Sequence, residues 1–168
     1  MNDLTLYQQF RPLMQTGDIL GWCGTGIVSD IIKWKTGGES SHSSMIIRLK
    51  DYEGDDIRVF QTEALARGVY PDILSRRLQD YDGKLYWYQL KDEWQTKRIE
   101  IGRRLTELWG VEYDYLSLFK QLVGKVNADA RRLFCSETCW IALGYDGDAP
   151  NPVELSHKDI YQRREKIL

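Results

Sequence analysis

The first half of the chain has apolar residues at both helical and strand-like spacings. An amphipathic pattern over residues 4–14 predicts a short helix, which ends before the turn Thr16-Gly17-Asp18 and the apolar stretch at 19–22. Ile27, Ile31 and Trp34 recur at i, i+4 and i+7, which predicts a second helix from Thr25 onward. Gly37-Gly38 is expected to end that helix.

Three later segments are typical of strands. Residues 43–49 and 57–63 flank a polar turn at 51–56, so we expect them to pair as neighbouring antiparallel strands. The aromatic segment 84–90 predicts a third strand, with a small helix over 72–78 before it.

The second half is predominantly helical in pattern. Helices are predicted over 94–109, 116–122 and about 134–143, with a polar loop at 124–130 and a charged tail helix over 156–166. Helices, then strands, then helices favour an α+β fold with an antiparallel sheet packed against helices. The prolines are scattered, so we predict one domain over residues 1–168.

Composition narrows the classes of partner. The chain has 23 Lys and Arg against 25 Asp and Glu, a net charge of −2, so no nucleic-acid partner is expected. No apolar run approaches the roughly 18 residues that cross a bilayer, which predicts no integral membrane segment. The start lacks the basic-then-apolar order of a signal peptide, so we expect a cytoplasmic location. Composition leaves the oligomeric state open.

Candidate chemistry centres on a thiol and an imidazole. His42 lies where a Gly/Ser-rich loop becomes a strand, whereas His157 is expected on a solvated helix. Cys135 is predicted in the first turn of the helix starting near Phe134, where the helix dipole lowers a thiol pKa. Its alternative role is that of a core cysteine, as we expect for Cys23 and Cys139.

A nucleophilic thiol needs a base, and the base needs a group that orients it. Glu63 is the candidate for that group, because pairing of the two strands brings it near His42 at one edge of the sheet. A surface glutamate is the alternative.

Metal and cofactor motifs are missing from the sequence. Cys135 and Cys139 are spaced i, i+4, and neither histidine has a partner at ligand spacing. The dispersed glycines at 17–26 lack the following Lys-Ser/Thr of a phosphate loop. We therefore expect neither a metal nor a cofactor.

Five short motifs in order resemble a known family: Gly17-Asp18-Ile19-Leu20, Ser41-His42-Ser43-Ser44-Met45-Ile46-Ile47, Thr62-Glu63-Ala64 with Gly68-Val69, Tyr113-Asp114-Tyr115, and Phe134-Cys135-Ser136-Glu137. They resemble the circularly permuted NlpC/P60 hydrolases, and within them the YiiX/YebB-like group. The resemblance implies a permuted papain-like fold in which the histidine precedes the cysteine.

The same resemblance implies site residues and an activity. Cys135 would be the nucleophile, His42 the base and Glu63 the orienting group, with Asp18, Tyr113 and Ser44 at the substrate groove. The alternative for Asp18 is a turn-capping residue, and the alternative for Tyr113 is a core aromatic. Ser44-Met45 departs from the small apolar residues usual in the family, and Met45 is expected to reshape the groove.

The implied reaction is hydrolysis of an amide in a cell-wall peptide or N-acyl amide through an acyl-enzyme. Lipid thioesterase or acyltransferase chemistry is the runner-up, and a non-catalytic binding or virion-associated module is the alternative from another class. The partner is thus a small-molecule, peptide or acyl-amide substrate. A phage-encoded protein would act in the host cytoplasm or the virion.

Overall fold

The computed structural model describes residues 2–25, 38–50, 57–65, 68–111 and 130–168. The predicted helices at 25–34 and 116–122, the predicted loop at 124–130 and Tyr113 lie wholly or mostly outside these residues.

In the described residues, six antiparallel strands form a sheet at the centre of the fold, in the order β4-β3-β2-β1-β5-β6. The strands are β1 Ile19–Gly24, β2 His42–Lys50, β3 Ile57–Leu65, β4 Gly68–Ile73, β5 Gly83–Leu90 and β6 Tyr161–Lys166. The described helices are α1 Thr5–Phe10, α2 Leu74–Gln79, α3 Arg98–Glu107, α4 Ala130–Leu143 and α5 Pro152–Ser156, and 3-10 turns span Arg11–Leu13 and Asp92–Lys97.

Successive residues of the central strands pack on opposite faces of the sheet, because strand side chains alternate. Ile19, Met45 and Tyr88 join α3, α4 and α5 in one buried cluster. Their neighbours Leu20, Ile46 and Trp87 join α1 and α2 in another. The helices therefore cover both faces, and the predicted α+β fold with an antiparallel sheet is confirmed.

The predicted pairing of residues 43–49 with residues 57–63 is also confirmed, since β2 pairs antiparallel with β3 and places Met45 opposite Thr62. The tail differs from its prediction. Its helix is only Pro152–Ser156, where Asn151 and Glu154 form a capping box. Residues Tyr161–Lys166 form β6 instead, because they pair antiparallel with β5 as an edge strand of the sheet. Among the described helices, none is long and apolar enough to cross a membrane.

Candidate active site

His42 and Glu63 meet at one end of the β2–β3 ladder. The β2–β3 pairing ends at Met45 and Thr62; His42 is the first residue of β2, and Glu63 follows Thr62. His42 Nε2 lies 3.1 Å from Glu63 Oε2. The imidazole is 22% exposed and the carboxylate 4% exposed, so the ring is the part of the pair that meets solvent.

Cys135 joins this pair from α4. Its thiol hydrogen-bonds with the imidazole of His42, and its sulfur accepts from the backbone N–H groups of Ser43 and Ser136. Cys135 is 1% exposed, whereas the His42 ring beside it is 22% exposed. The structure thus brings together three residues that the sequence separates widely.

The position of Cys135 in its helix differs from the prediction. The helix begins at Ala130 rather than near Phe134, so Cys135 lies in the second turn. The dipole acts mainly on the first turn. Any lowering of the Cys135 pKa therefore has to come mainly from neighbouring groups rather than from the helix dipole.

Those neighbours shift the two pKa values in opposite directions. Burial raises the pKa of Cys135, but the His42 charge and hydrogen bond, with the two N–H groups, bring the net pKa below the ordinary value. Burial lowers the pKa of His42, yet Cys135 and Glu63 outweigh it and raise the pKa to about 10. Opposite shifts of this kind favour a thiolate beside an imidazolium.

Glu63 is held ionised by two cations. Burial raises its pKa, whereas the hydrogen bond and charge of His42 and the charge of Arg77 lower it, and the net shift is downward. Arg77 Nε lies 3.4 Å from Glu63 Oε1, and its guanidinium stands 5.4 Å from the centre of the Trp22 ring and 5.5 Å from that of Tyr81. Sequence reasoning missed Arg77, because nothing in its local pattern separates it from Arg76.

Ser44 lies inside the sheet rather than at a groove. It is 0% exposed; its hydroxyl accepts from Trp22 Nε1 at 2.7 Å and donates to Gln61 Oε1 at 2.7 Å. Met45 is also 0% exposed and packs in the core with Ile19 and Tyr88. Neither side chain is open to a ligand, which argues against the predicted substrate contacts.

Asp18 is likewise a structural residue. It is 0% exposed, and its carboxylate accepts from four donors: Gln15 N, Leu90 N, Trp87 Nε1 and Arg98 Nη1. Its oxygens are committed to these partners, so its position argues against a direct contact with substrate.

Cys139 and His157 have surroundings that differ from those of Cys135 and His42. Cys23, Cys135 and Cys139 are all reduced thiols. Cys139 is 0% exposed, and burial raises its pKa well above the ordinary value, with Cys135 adding to the effect. His157 is exposed just after α5 and bonds through Nδ1 to the carbonyl of Val153 at 2.9 Å.

The comparisons with known proteins bear on the fold. No family model matches the chain, and no curated protein matches it. Among solved structures it is similar to the metalloprotein YiiX from Escherichia coli O157:H7, DUF1105, with a TM-score of 0.50 and 22% sequence identity. The match covers 76% of this chain and 63% of that one, so the chain spans under two thirds of that protein. The two share a YiiX-like α+β fold.

The name of that neighbour raises the question of a metal. In the ranges that the structure describes, no three His, Cys, Asp or Glu side chains are arranged to hold a metal ion. The thiol of Cys135 and the ring of His42 are engaged with each other instead. The part of the chain that the structure describes therefore does not fit a metal centre.

Proposed function

We propose that the chain is a cysteine hydrolase that cleaves an amide, with Cys135 as nucleophile, His42 as acid and base, and Glu63 as the orienting group. One observation carries the proposal: a hydrogen-bonded path runs from the thiol through the imidazole to the carboxylate, with opposite pKa shifts at thiol and imidazole. An ordinary thiol is only a few per cent ionised near pH 7, so this pairing supplies the missing nucleophile.

The reaction proceeds in two steps on this arrangement. The Cys135 thiolate attacks the amide carbonyl and forms a C–S bond, while the His42 imidazolium protonates the leaving amine as the C–N bond breaks. His42 then takes a proton from water as that water attacks the thioester; the C–S bond breaks, the acid is released, and the thiolate and imidazolium are restored. Glu63 orients the ring in both steps through the contact at Nε2.

The substrate class follows from the family resemblance rather than from geometry. The motifs similar to those of circularly permuted NlpC/P60 hydrolases favour a cell-wall peptide or an N-acyl amide. The YiiX-like fold supports the same group. Lipid thioesterase or acyltransferase chemistry uses the same three residues and is separated from amide hydrolysis by the substrate that reacts.

A non-catalytic binding module is the second candidate. The 1% exposure of Cys135 is the observation that favours it, because a sealed sulfur cannot reach a carbonyl. Whether the Cys135 sulfur reacts with a substrate or an alkylating reagent distinguishes the two functions.

Acylation of the protein tests the proposal. The protein is incubated with peptidoglycan fragments, N-acyl amino acids and acyl thioesters, and its intact mass is followed. We expect an acyl adduct on Cys135 from an amide, with release of the amine. Cys135→Ser should abolish the adduct, and Cys139→Ser, one helical turn further on, should retain it. Acylation by thioesters alone would instead support the lipid chemistry.

Selective alkylation supplies the second readout. With limiting iodoacetamide near neutral pH, Cys135 should react well before Cys23 and Cys139. A protein that forms no adduct with any substrate and shows no preference for Cys135 would be a binding module.

A further inference from the structure

A cleft of about 560 Å³ lies between β5, β6 and α5, and none of the three proposed catalytic residues lines it. This volume is in the range of small-ligand sites. The lining residues that matter are those before β2, on β5 and on β6: Glu39, Ser40, Tyr86, Tyr88, Arg164 and Lys166.

The pairing of β5 with β6 places two basic side chains, Arg164 and Lys166, at this cleft. Arg164 pairs with Tyr88 and Lys166 with Tyr86. Because alternate strand residues share a face, the two basic side chains lie on the face of the two tyrosines, while Arg163 lies on the other. The edge strand that replaces the predicted tail helix therefore builds one wall of the cleft.

Arg164 and Lys166 carry two positive charges at the cleft, against the one negative charge of Glu39. The Arg164 guanidinium stands 4.3 Å from the centre of the Tyr86 ring, and one of its nitrogens is 3.9 Å from a Glu39 oxygen. Tyr86 also donates to that carboxylate at 3.2 Å. Lys166 makes no ion pair with any residue that the structure describes. A stacked guanidinium keeps its N–H edge available for a planar anion.

Ser40 lies deeper in the cleft. It is 5% exposed, and its buried hydroxyl has no hydrogen-bond partner within the described chain. Gly21 makes room for it, since a Cβ there would lie 2.7 Å from the Ser40 oxygen and 2.9 Å from the Tyr88 ring. An unsatisfied buried hydroxyl is costly, and a ligand oxygen would relieve that cost.

We propose that this cleft binds the anionic group of a small ligand, a carboxylate or a phosphate, between Arg164 and Lys166 with the Ser40 hydroxyl as a further donor. Tyr86 and Tyr88 pack against the body of the ligand. The site is independent of the thiol chemistry, so it stands or falls separately from the proposed function.

Titration of the full chain tests the site. N-acetylglycine, inorganic phosphate and the neutral N-acetylglycinamide are each added while backbone amide signals are followed by NMR. We expect saturable shifts centred on Ser40, Tyr86 and Tyr88 with at least one anion, and none with the neutral amide. The tighter of the two anions identifies the ligand as carboxylate or phosphate. Failure of both anions to bind, or equal binding of the neutral amide, overturns the proposal.

Variants on opposite faces of β6 sharpen the test. Arg164→Gln should weaken anion binding by about tenfold, because it removes a charged donor. Arg163→Gln removes the same charge one residue away on the other face and should change it less than about twofold. Ser40→Ala should weaken binding by roughly threefold. Equal weakening by Arg163→Gln and Arg164→Gln would mean nonspecific attraction and overturn the site. Should Arg164→Gln not fold, Lys166→Gln takes its place in the same comparison.

Discussion

Asp18 and Glu63 are two buried carboxylates that each face an arginine, yet their surroundings differ. Three of the four donors to Asp18, namely Leu90, Trp87 and Arg98, are buried residues, and the Arg98 side chain is 8% exposed. Glu63 contacts His42 and Arg77, whose side chains are 22% and 36% exposed. The Asp18 carboxylate is bound by fixed hydrogen-bond donors. The Glu63 carboxylate instead contacts a partly exposed imidazole that can change its protonation state.

The pKa directions follow this difference. Burial raises the pKa of Asp18, and Arg98 only partly offsets it. Burial acts on Glu63 too, but a titratable imidazole beside it brings its pKa below the ordinary value. We therefore expect Asp18 to stabilise the fold, and Glu63 to raise the pKa of the His42 imidazole. Four substitutions test this contrast.

Asp18→Ala should have the largest effect. It leaves the Arg98 charge buried without its partner, which costs about 3–5 kcal/mol of folding free energy. Urea unfolding followed by fluorescence measures the loss. The rate of Cys135 alkylation in the remaining folded protein should be unchanged. A decrease in the free energy of unfolding below about 1 kcal/mol would contradict a stabilising role for Asp18.

His42→Ala should slow alkylation of Cys135 by about a hundredfold at pH 7. In the native protein the thiolate forms below the ordinary thiol pKa and keeps an imidazolium partner until the pH reaches about 10, where His42 loses its proton. Without the ring, burial dominates and ionisation moves to higher pH. Iodoacetamide rates from pH 5 to 10 measure both effects.

The matched control for that experiment is His157→Ala, which removes the other imidazole. Its pH profile should overlay that of the native protein. If His42→Ala gives the same overlay, the thiol and the ring are not coupled.

Glu63→Gln should slow alkylation by about tenfold at pH 7. The amide keeps the size of the side chain but cannot stabilise an imidazolium, so the pKa of His42 falls and the pairing weakens. The unfolding free energy should fall less than in Asp18→Ala. An equal or larger stability loss with unchanged alkylation would make Glu63 a second structural acid.

Arg77→Gln should have the smallest effect, about a threefold slower alkylation. The arginine is more than a third exposed, and solvent screens its charge at Glu63. Arg76→Gln removes a charge from the preceding, more exposed residue and should leave the rate unchanged. An effect of Arg77→Gln as large as that of Glu63→Gln would mean that the arginine, rather than the imidazole, holds the carboxylate.

The sequence predicts those contacts that a short turn enforces. A polar turn between two apolar segments makes them neighbours, so the approach of His42 to Glu63 follows from local pattern alone. The partners of Asp18 do not, because Trp87 and Arg98 lie 69 and 80 positions along the chain. Such contacts depend on how β1, β5 and α3 pack, which no local pattern encodes.

The tail is the clearest case of tertiary structure overriding local preference. Residues Tyr161–Lys166 are rich in Gln, Arg, Glu and Lys, all good helix formers, which predicts a helix. The edge of β5 instead provides backbone partners for a strand. Strand preference depends mainly on what lies alongside, so the segment takes the conformation that its neighbour offers.

Gly21 is a position where even one added carbon would collide with neighbouring side chains. A Cβ there would lie 2.7 Å from the Ser40 oxygen and 2.9 Å from the Tyr88 ring, and both of those residues line the proposed anion cleft. A methyl group at position 21 would therefore move the Ser40 hydroxyl or the Tyr88 ring. The shape of the cleft thus depends on a position in β1 that does not itself line it.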